Sequence, residues 1–324
     1  MYITSFNNME KYFDKHDHIL NSIINAAYSS GYHVLCADQD SSYTFDLILK
    51  REELLVIKIS YNVSLMNEDA ASSLASFAKN IDAYPIIIGV VNRNERIEDG
   101  VLYTRYSIPV LSPRTFIDFI KYEERPLVRA GPGGFYVDID GEKLKKLREE
   151  RNISLGDLAS VTNTSRRTIL LYENGMSMSL EIALKLEEYL NTELIKATSI
   201  LIKSTLGDAK PNFKKMKEFE RLVSSLLESK GFDVYSYRKS MINMVIREEM
   251  QSFLSGLELE DENFRRKMEF IRKMSDLVNR EGFLIVKEKE KFRHADVPII
   301  TVQEIKNISD RREIKYLIEE RKGD

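Results

Sequence analysis

One cysteine, Cys36, stands in 324 residues, so no internal disulfide is possible and a reducing cytosol is expected. No apolar run approaches the length of a membrane span, and the first eleven residues lack the charged-then-apolar pattern of an export signal. The four histidines, His16, His18, His33 and His294, form no metal-ligand spacing. No phosphate-binding glycine loop occurs, because Gly131-Pro-Gly-Gly134 lacks the Lys-Ser/Thr that would follow it, and it is read as linker. No cofactor is therefore expected. An excess of either charge is also lacking, with a net of −3 from 48 basic and 51 acidic residues. What is present in quantity is apolar residue, 43% of a chain long enough for two or three domains.

The most specific segment is Ser154 to Gly175. Ser154 suits the N-cap of a helix starting at Leu155, whose inward face is Leu158, Ala159 and Val161. The small Ala159 lets a second helix cross closely. Asn163 suits a left-handed turn residue, and Ser165 caps the second helix, residues 165–173. Ile169 and Tyr172 turn inward on that helix, and Asn174-Gly175 ends it. A helix over about 141–152 precedes the pair, and one with Leu180, Ile182, Ala183, Leu186 and Leu190 on one face follows it. From 141 to 172 there are seven basic residues against four acids, and extending the window to 190 removes the excess. The basic charge is thus local to the helices that would face DNA. Arg166 and Arg167 point outward at a helix N-terminus, where the dipole disfavours them unless a phosphate or base edge lies opposite.

Residues 141–190 resemble the Cro/C1-type helix-turn-helix domain, from Gly-Glu-Lys-Leu-Lys-Lys-Leu-Arg through Tyr-Glu-Asn-Gly to Ser-Leu-Glu-Ile-Ala-Leu-Lys-Leu. The resemblance implies a helical bundle that binds double-stranded DNA as a dimer. Carried over by position, Ser165, Arg166, Arg167, Thr168 and Leu171 would face DNA, with Lys143 and Lys146 on the preceding helix holding phosphates. Three positions depart from the family. Leu155 stands where a phosphate-holding Gln is usual, Leu171 where a polar base reader is common, and Thr164 where an aliphatic residue is.

Before this module, residues 1–125 read as an α/β domain. The order is a helix from about Asp17 to Ser30, strands near 32–36, 45–50 and 54–59, a helix over about 69–81, strands at 85–91 and 108–111, and a helix capped near Ser112. Asp46 on one strand and Lys58 on the next resemble the restriction-endonuclease-like fold, in which Asp and Glu-X-Lys hold a divalent metal. The Glu position here is Val56, so one carboxylate remains, a poor set for Mg²⁺. The domain is read as nuclease-like in shape and inactive, or Asp46 and Lys58 as an ordinary cross-strand pair.

Residues 126–140 are read as linker, 141–206 as the helix-turn-helix domain, and 213–324 as a smaller α/β domain after the linker 207–212. The last domain repeats the grammar of the first: a helix, then Gly231-Phe-Asp-Val against Gly31-Tyr-His-Val, then 242–246 against 45–49, then Val297-Pro-Ile-Ile against Ile108-Pro-Val-Leu. Asn243 falls at the Asp46 position, and the Lys58 strand has no clear counterpart. A diverged repeat and a chance echo of helix–strand alternation are both open. The tail from Ser309 to Lys322 reads as a solvated helix.

The order of domains, with Arg129-Ala-Gly-Pro-Gly-Gly-Phe-Tyr-Val-Asp-Ile-Asp-Gly141 entering the first helix, resembles a family of archaeal helix-turn-helix transcriptional regulators. That resemblance implies a cytoplasmic DNA-binding regulator without enzymatic activity, and it names no effector. A homodimer is expected, since one module buries little surface on DNA. Two other readings stay open: a nuclease targeted by the helix-turn-helix, and a protein-interaction module with a retired DNA face.

Overall fold

The computed structural model describes residues 2–37, 43–204, 206, 216–237, 239–248, 251–257, 264–288, 295, 297–309 and 311–321. The expected linker 207–212, the start of the helix expected from 213, and His294 lie outside them. In chain order the first elements are α1 (Tyr2–Ser29), β1 (His33–Cys36), β2 (Leu47–Lys50), β3 (Leu54–Asn62), α2 (Glu68–Asn80), β4 (Tyr84–Asn92), β5 (Glu95–Arg96), β6 (Val101–Arg105), β7 (Ile108–Leu111) and α3 (Pro113–Tyr122). Next come β8 (Val128–Gly131), β9 (Gly134–Ile139), α4 (Gly141–Glu150), α5 (Leu155–Thr162), α6 (Arg166–Glu173), β10 (Met178–Ser179), α7 (Leu180–Leu190) and β11 (Ile195–Lys196). The chain closes with α8 (Glu218–Ser229), β12 (Asp233–Ser236), β13 (Met244–Glu248), β14 (Gln251–Leu257), α9 (Phe264–Val278), β15 (Gly282–Val286), β16 (Ile299–Thr301), α10 (Val302–Asn307) and α11 (Arg312–Glu320). Two compact units emerge, and neither is one continuous stretch. The first is Met1–Ile59, Met66–Pro85 and Lys203–Asp324, and the second is Ser60–Leu65 and Ile86–Ile202.

In the first unit β1, β2 and β3 form an antiparallel set, with Cys36 opposite Leu47 and Leu47 opposite Ile57. Leu47–Leu49 and Leu55–Ile57 are buried on both faces, which is why the sequence there runs continuously apolar instead of alternating. A five-stranded sheet, β12-β13-β14-β15-β16, belongs to the same unit. Its first three strands are antiparallel and its last three parallel. β14 lies on β13 as β3 lies on β2, so the strand for which the sequence offered no counterpart does exist. Its pattern was hard to read because Ser252, Ser255 and Gly256 interrupt the apolar run.

α11 departs from the expected solvated tail. Ile314 and Ile318, four apart on one face, are fully buried in the core that also holds Val223, Phe253 and Ile285. Arg321 just beyond it binds the Glu304 carboxylate. The charges on its outer face hid a two-residue apolar stripe.

In the second unit β4 and β7 are parallel, β6 is antiparallel to β7 and parallel to β8, and β9 folds back on β8. Residues 126–140, expected to be linker, therefore carry a β-hairpin. Gly133 and Gly134 take positive φ at its tip, which only glycine adopts easily. β9 then pairs with both β10 and β11, and its Val137 and Ile139 enter the core of the helical bundle α4–α7. β6 had no expected strand; only Val101 and Leu102 of it are buried, and Tyr103, Thr104 and Arg105 break the apolar run.

Candidate nucleic-acid interface

The bundle is built by its caps. Ser154 and Asp157 form a reciprocal capping box at α5, with Asp157 N–H donating to Ser154 Oγ at 3.1 Å and Ser154 N–H to Asp157 Oδ2 at 2.8 Å. The Ser154 hydroxyl first, then the Ser154 N–H and the nearby charge of Arg166, hold the Asp157 carboxyl below its usual range. Asn163 ends α5 at φ +54°, the left-handed turn expected of it. Thr162, buried, shares a 2.8 Å hydrogen bond with the Thr164 hydroxyl, so the polar residue at 164 is satisfied inside the turn. Ser165 caps α6 by accepting from Thr168 N–H at 3.0 Å.

α6 is anchored on one side only. Ile169 and Tyr172 enter the bundle core. Glu173, 5% exposed, takes two bonds from the Arg148 guanidinium of α4, Nε to Oε1 at 2.5 Å and Nη2 to Oε2 at 3.2 Å. The carboxylate holds the Arg148 proton even more firmly than usual. Gly141 completes the α4–α6 contact: a Cβ there would stand 2.5 Å from the backbone oxygens of both Tyr172 and Glu173.

What remains exposed on α6 is Ser165, Arg166, Arg167, Leu170 and Leu171, with Thr168 half-buried and its hydroxyl 2.9 Å from Ser165 Oγ. The Arg166 guanidinium does not stand clear of the fold. A Cβ on Gly156 would lie 3.2 Å from its Nε, so the guanidinium rests over the first turn of α5. Arg166 thus joins the N-terminal ends of the two motif helices, where free amides and the dipole favour an anion. Leu155 is half-buried against the bundle core.

The basic helix α4 is less available than its sequence implies. Lys143 Nζ donates to the Glu193 carbonyl at 2.8 Å, and Arg151 donates to the Leu190 carbonyl at 2.6 Å, both beyond or at the end of α7. Arg148 is committed to Glu173. Lys146 is exposed and 3.8 Å from Glu150 one turn on. The Arg148–Glu173 pair escaped sequence reasoning, although an acid among the inward positions of α6 was its available signal.

The nuclease-like constellation lies in the first unit. Asp46 is 5% exposed, and Lys58 Nζ stands 3.1 Å from its Oδ1. Oδ2 accepts from Ile59 N–H at 2.5 Å. His16 of α1, 2% exposed, places Nε2 3.5 Å from Oδ1. Its pKa is raised, chiefly by Asp46 and against the opposing effect of burial. Val56, at the second carboxylate position, is fully buried. Both Asp46 oxygens are thus engaged by the protein, and a divalent metal does not fit this set. Among the described residues no group of three or more His, Cys, Asp and Glu side chains could hold a metal ion.

Residues 144–196 match the Helix-turn-helix family, and residues 16–126 match the PD-(D/E)XK superfamily domain. A Methanococcoides burtonii protein named "Putative HTH-type transcriptional regulatory protein" is 33% identical over 314 residues, 94% of this chain and 97% of its own length. This chain belongs to that archaeal family. Relatives of the same name occur in Picrophilus torridus, 33% identical over 95% of this chain and 98% of theirs, and in Methanocaldococcus jannaschii, 32% identical over 83% and 86%. No solved structure matches the chain. The same chain therefore carries the family's helix-turn-helix and a match to a nuclease-type domain whose metal-binding carboxylate pair is incomplete here. No described helix is long and apolar enough to cross a membrane.

Proposed function

We propose that the chain is a sequence-specific regulator of transcription that lays α6 in the major groove of double-stranded DNA, works as a cytoplasmic homodimer and has no enzymatic activity. The observation that carries the reading is the division of α6. Ile169, Tyr172 and Glu173 lock one side to the bundle, while Ser165, Arg166, Arg167 and Leu171 are exposed on the other. Arg167 is the base reader, with geometry suited to guanine O6 and N7, and Leu171 meets a thymine methyl. Arg166, resting over Gly156, supplies at the start of α5 the phosphate contact that Leu155 cannot make. Ser165 and Thr168 flank that contact, and Lys146 and Lys143 add charge at the edge of the footprint.

The test is a footprint and an anisotropy titration of the full chain on fragments of its own genome, at several salt concentrations. Arg167→Ala should abolish discrimination between specific and unrelated fragments. Arg166→Ala should weaken binding to all fragments and reduce the salt slope by about 1. Binding unchanged in both variants would remove α6 as the reader. The match to the PD-(D/E)XK superfamily domain favours one rival, a nuclease targeted by the helix-turn-helix. Labelled DNA incubated with Mg²⁺ or Mn²⁺ should stay intact, and cleavage lost on Asp46→Ala would establish that rival instead.

A further inference from the structure

The described residues between 216 and 309 repeat the element order and the strand register of the N-terminal region. Gly31 and Gly231 both take positive φ between a helix and the strand that follows. Cys36 pairs with Leu47 and Leu47 with Ile57, while Ser236 pairs with Met244 and Met244 with Ser255. This register sets Asn243 against Asp46 and Gly256 against Lys58. The backbone and side-chain hydrogen bonds agree. Ala37 N–H donates to the Asp46 carbonyl at 2.9 Å and Tyr237 N–H to the Asn243 carbonyl at 2.8 Å. Asp46 Oδ2 accepts from Ile59 N–H, and Asn243 Oδ1 accepts from Leu257 N–H at 2.9 Å. Later, β15 and β16 are parallel as β4 and β7 are. Thr301 and Ser112 each cap the helix that follows.

Within the first unit the two regions meet through equivalent surfaces. Ser76, Phe77 and Asn80 of α2 pack on Tyr237, the residue after β12: Asn80 Nδ2 donates to its hydroxyl at 2.9 Å and the Phe77 ring meets its ring edge-on at 5.1 Å. In return, Phe270 of α9 lies 6.2 Å from the Phe45 ring, and α9 lines a cleft with Leu35, Cys36 and Ala37 at the end of β1. Each copy's helix therefore sits against the end of the other copy's first strand. That reciprocity is the signature of a two-fold, self-complementary interface.

We propose that the C-terminal region is a second, chemically emptied copy of the N-terminal fold, and that the two copies pair as a dimer built within one chain. The emptying follows from Asn243 and Gly256, neither of which can supply the charge of Asp46 or Lys58. Lys267 of α9, buried, crosses the space a side chain at 256 would fill, with its Cδ 3.2 Å from that Cβ position. Because the pairing face is filled in cis, it is closed to a second chain, and a homodimer must form elsewhere.

Hydrogen exchange on the full chain tests both parts. Phe270→Ala, a change in the second copy, should speed amide exchange in β1 of the first at least about tenfold. Asn80→Ala, a change in the first copy, should do the same in β12 and β13. Tyr237→Phe removes only the hydroxyl and should give a smaller effect confined to α2, so a failure of either alanine variant to fold leaves a usable measurement. Exchange that rises only in the mutated copy would overturn the pairing. Light scattering should give the same mass for every variant. A mass that falls on Asn80→Ala would overturn the intrachain arrangement and make the face intermolecular. An experimental structure in which Asn243 does not overlay Asp46 on superposing β12–β14 on β1–β3 would overturn the duplication.

Discussion

Removing one partner of the Arg148–Glu173 pair should unfold the helix-turn-helix far more readily than removing both. The Glu173 side chain is 1% exposed and the Arg148 side chain 14%, so Arg148→Met leaves a carboxylate buried with neither water nor a cation. A half-broken buried pair costs about 3–5 kcal/mol, whereas replacing both partners with apolar residues of similar volume is neutral or stabilising by about 1–4 kcal/mol. For a unit of this size the single change should lower the midpoint of its thermal transition by roughly 10–20 °C. Arg148→Met with Glu173→Leu should recover most of that loss. The carboxylate also carries two bonds in fixed geometry, so Glu173→Gln, which keeps one acceptor, should fall between the two. Calorimetry on the full chain, with hydrogen exchange in α4 and α6 to assign the transition, reads all three variants. Equal losses in the single and double variants would refute the argument, because the cost would then come from packing and not from stranded charge. A loss under about 1 kcal/mol for Arg148→Met would place the pair among ordinary solvated ion pairs.

Two further predictions follow from the same physics. Gly141→Ala should destabilise the bundle by about 1–3 kcal/mol, since its Cβ would overlap two backbone oxygens that cannot rotate away; thermal melting measures it, and an unchanged midpoint would mean that α4 can shift freely on α6. The raised pKa of His16 makes the protonated ring the stabilising form. That contribution is fully present below the unfolded value of 6.5 and is lost as pH rises through the higher folded value. Melting of the first unit followed from pH 5 to 9 should show this loss, and His16→Gln should flatten it; a stability that rises with pH across this window would contradict the Asp46 contact as its cause.

Much of the helix-turn-helix was legible because its determinants are local. Ser154, Asn163, Ser165 and Gly175 each act on backbone within a few residues, and the spacing of Leu158, Ala159, Ile169 and Tyr172 needs no distant partner to be read. The hairpin β8–β9 was missed because glycine and proline at its tip read as linker, while the cue lay in Val137 and Ile139, alternate residues whose burial depends on the bundle they meet. The tail helix α11 was misread for a related reason: two isoleucines among nine residues show their value only when a core lies beneath them. Lys143, Arg148 and Arg151 all counted as basic surface, yet each is bound to a group 25 to 50 residues away.

By itself the sequence determined the motif, its caps and its turn, the family, and the loss of a second carboxylate at Val56, since each depends on residue identity at short range. Tertiary structure decided which charges remain for a partner and which are consumed. It also decided that β9 belongs to the DNA-binding unit and that the first and last parts of the chain share a unit. Those outcomes rest on pairings between residues far apart in the chain, whose registers and distances are set only when the backbone has folded.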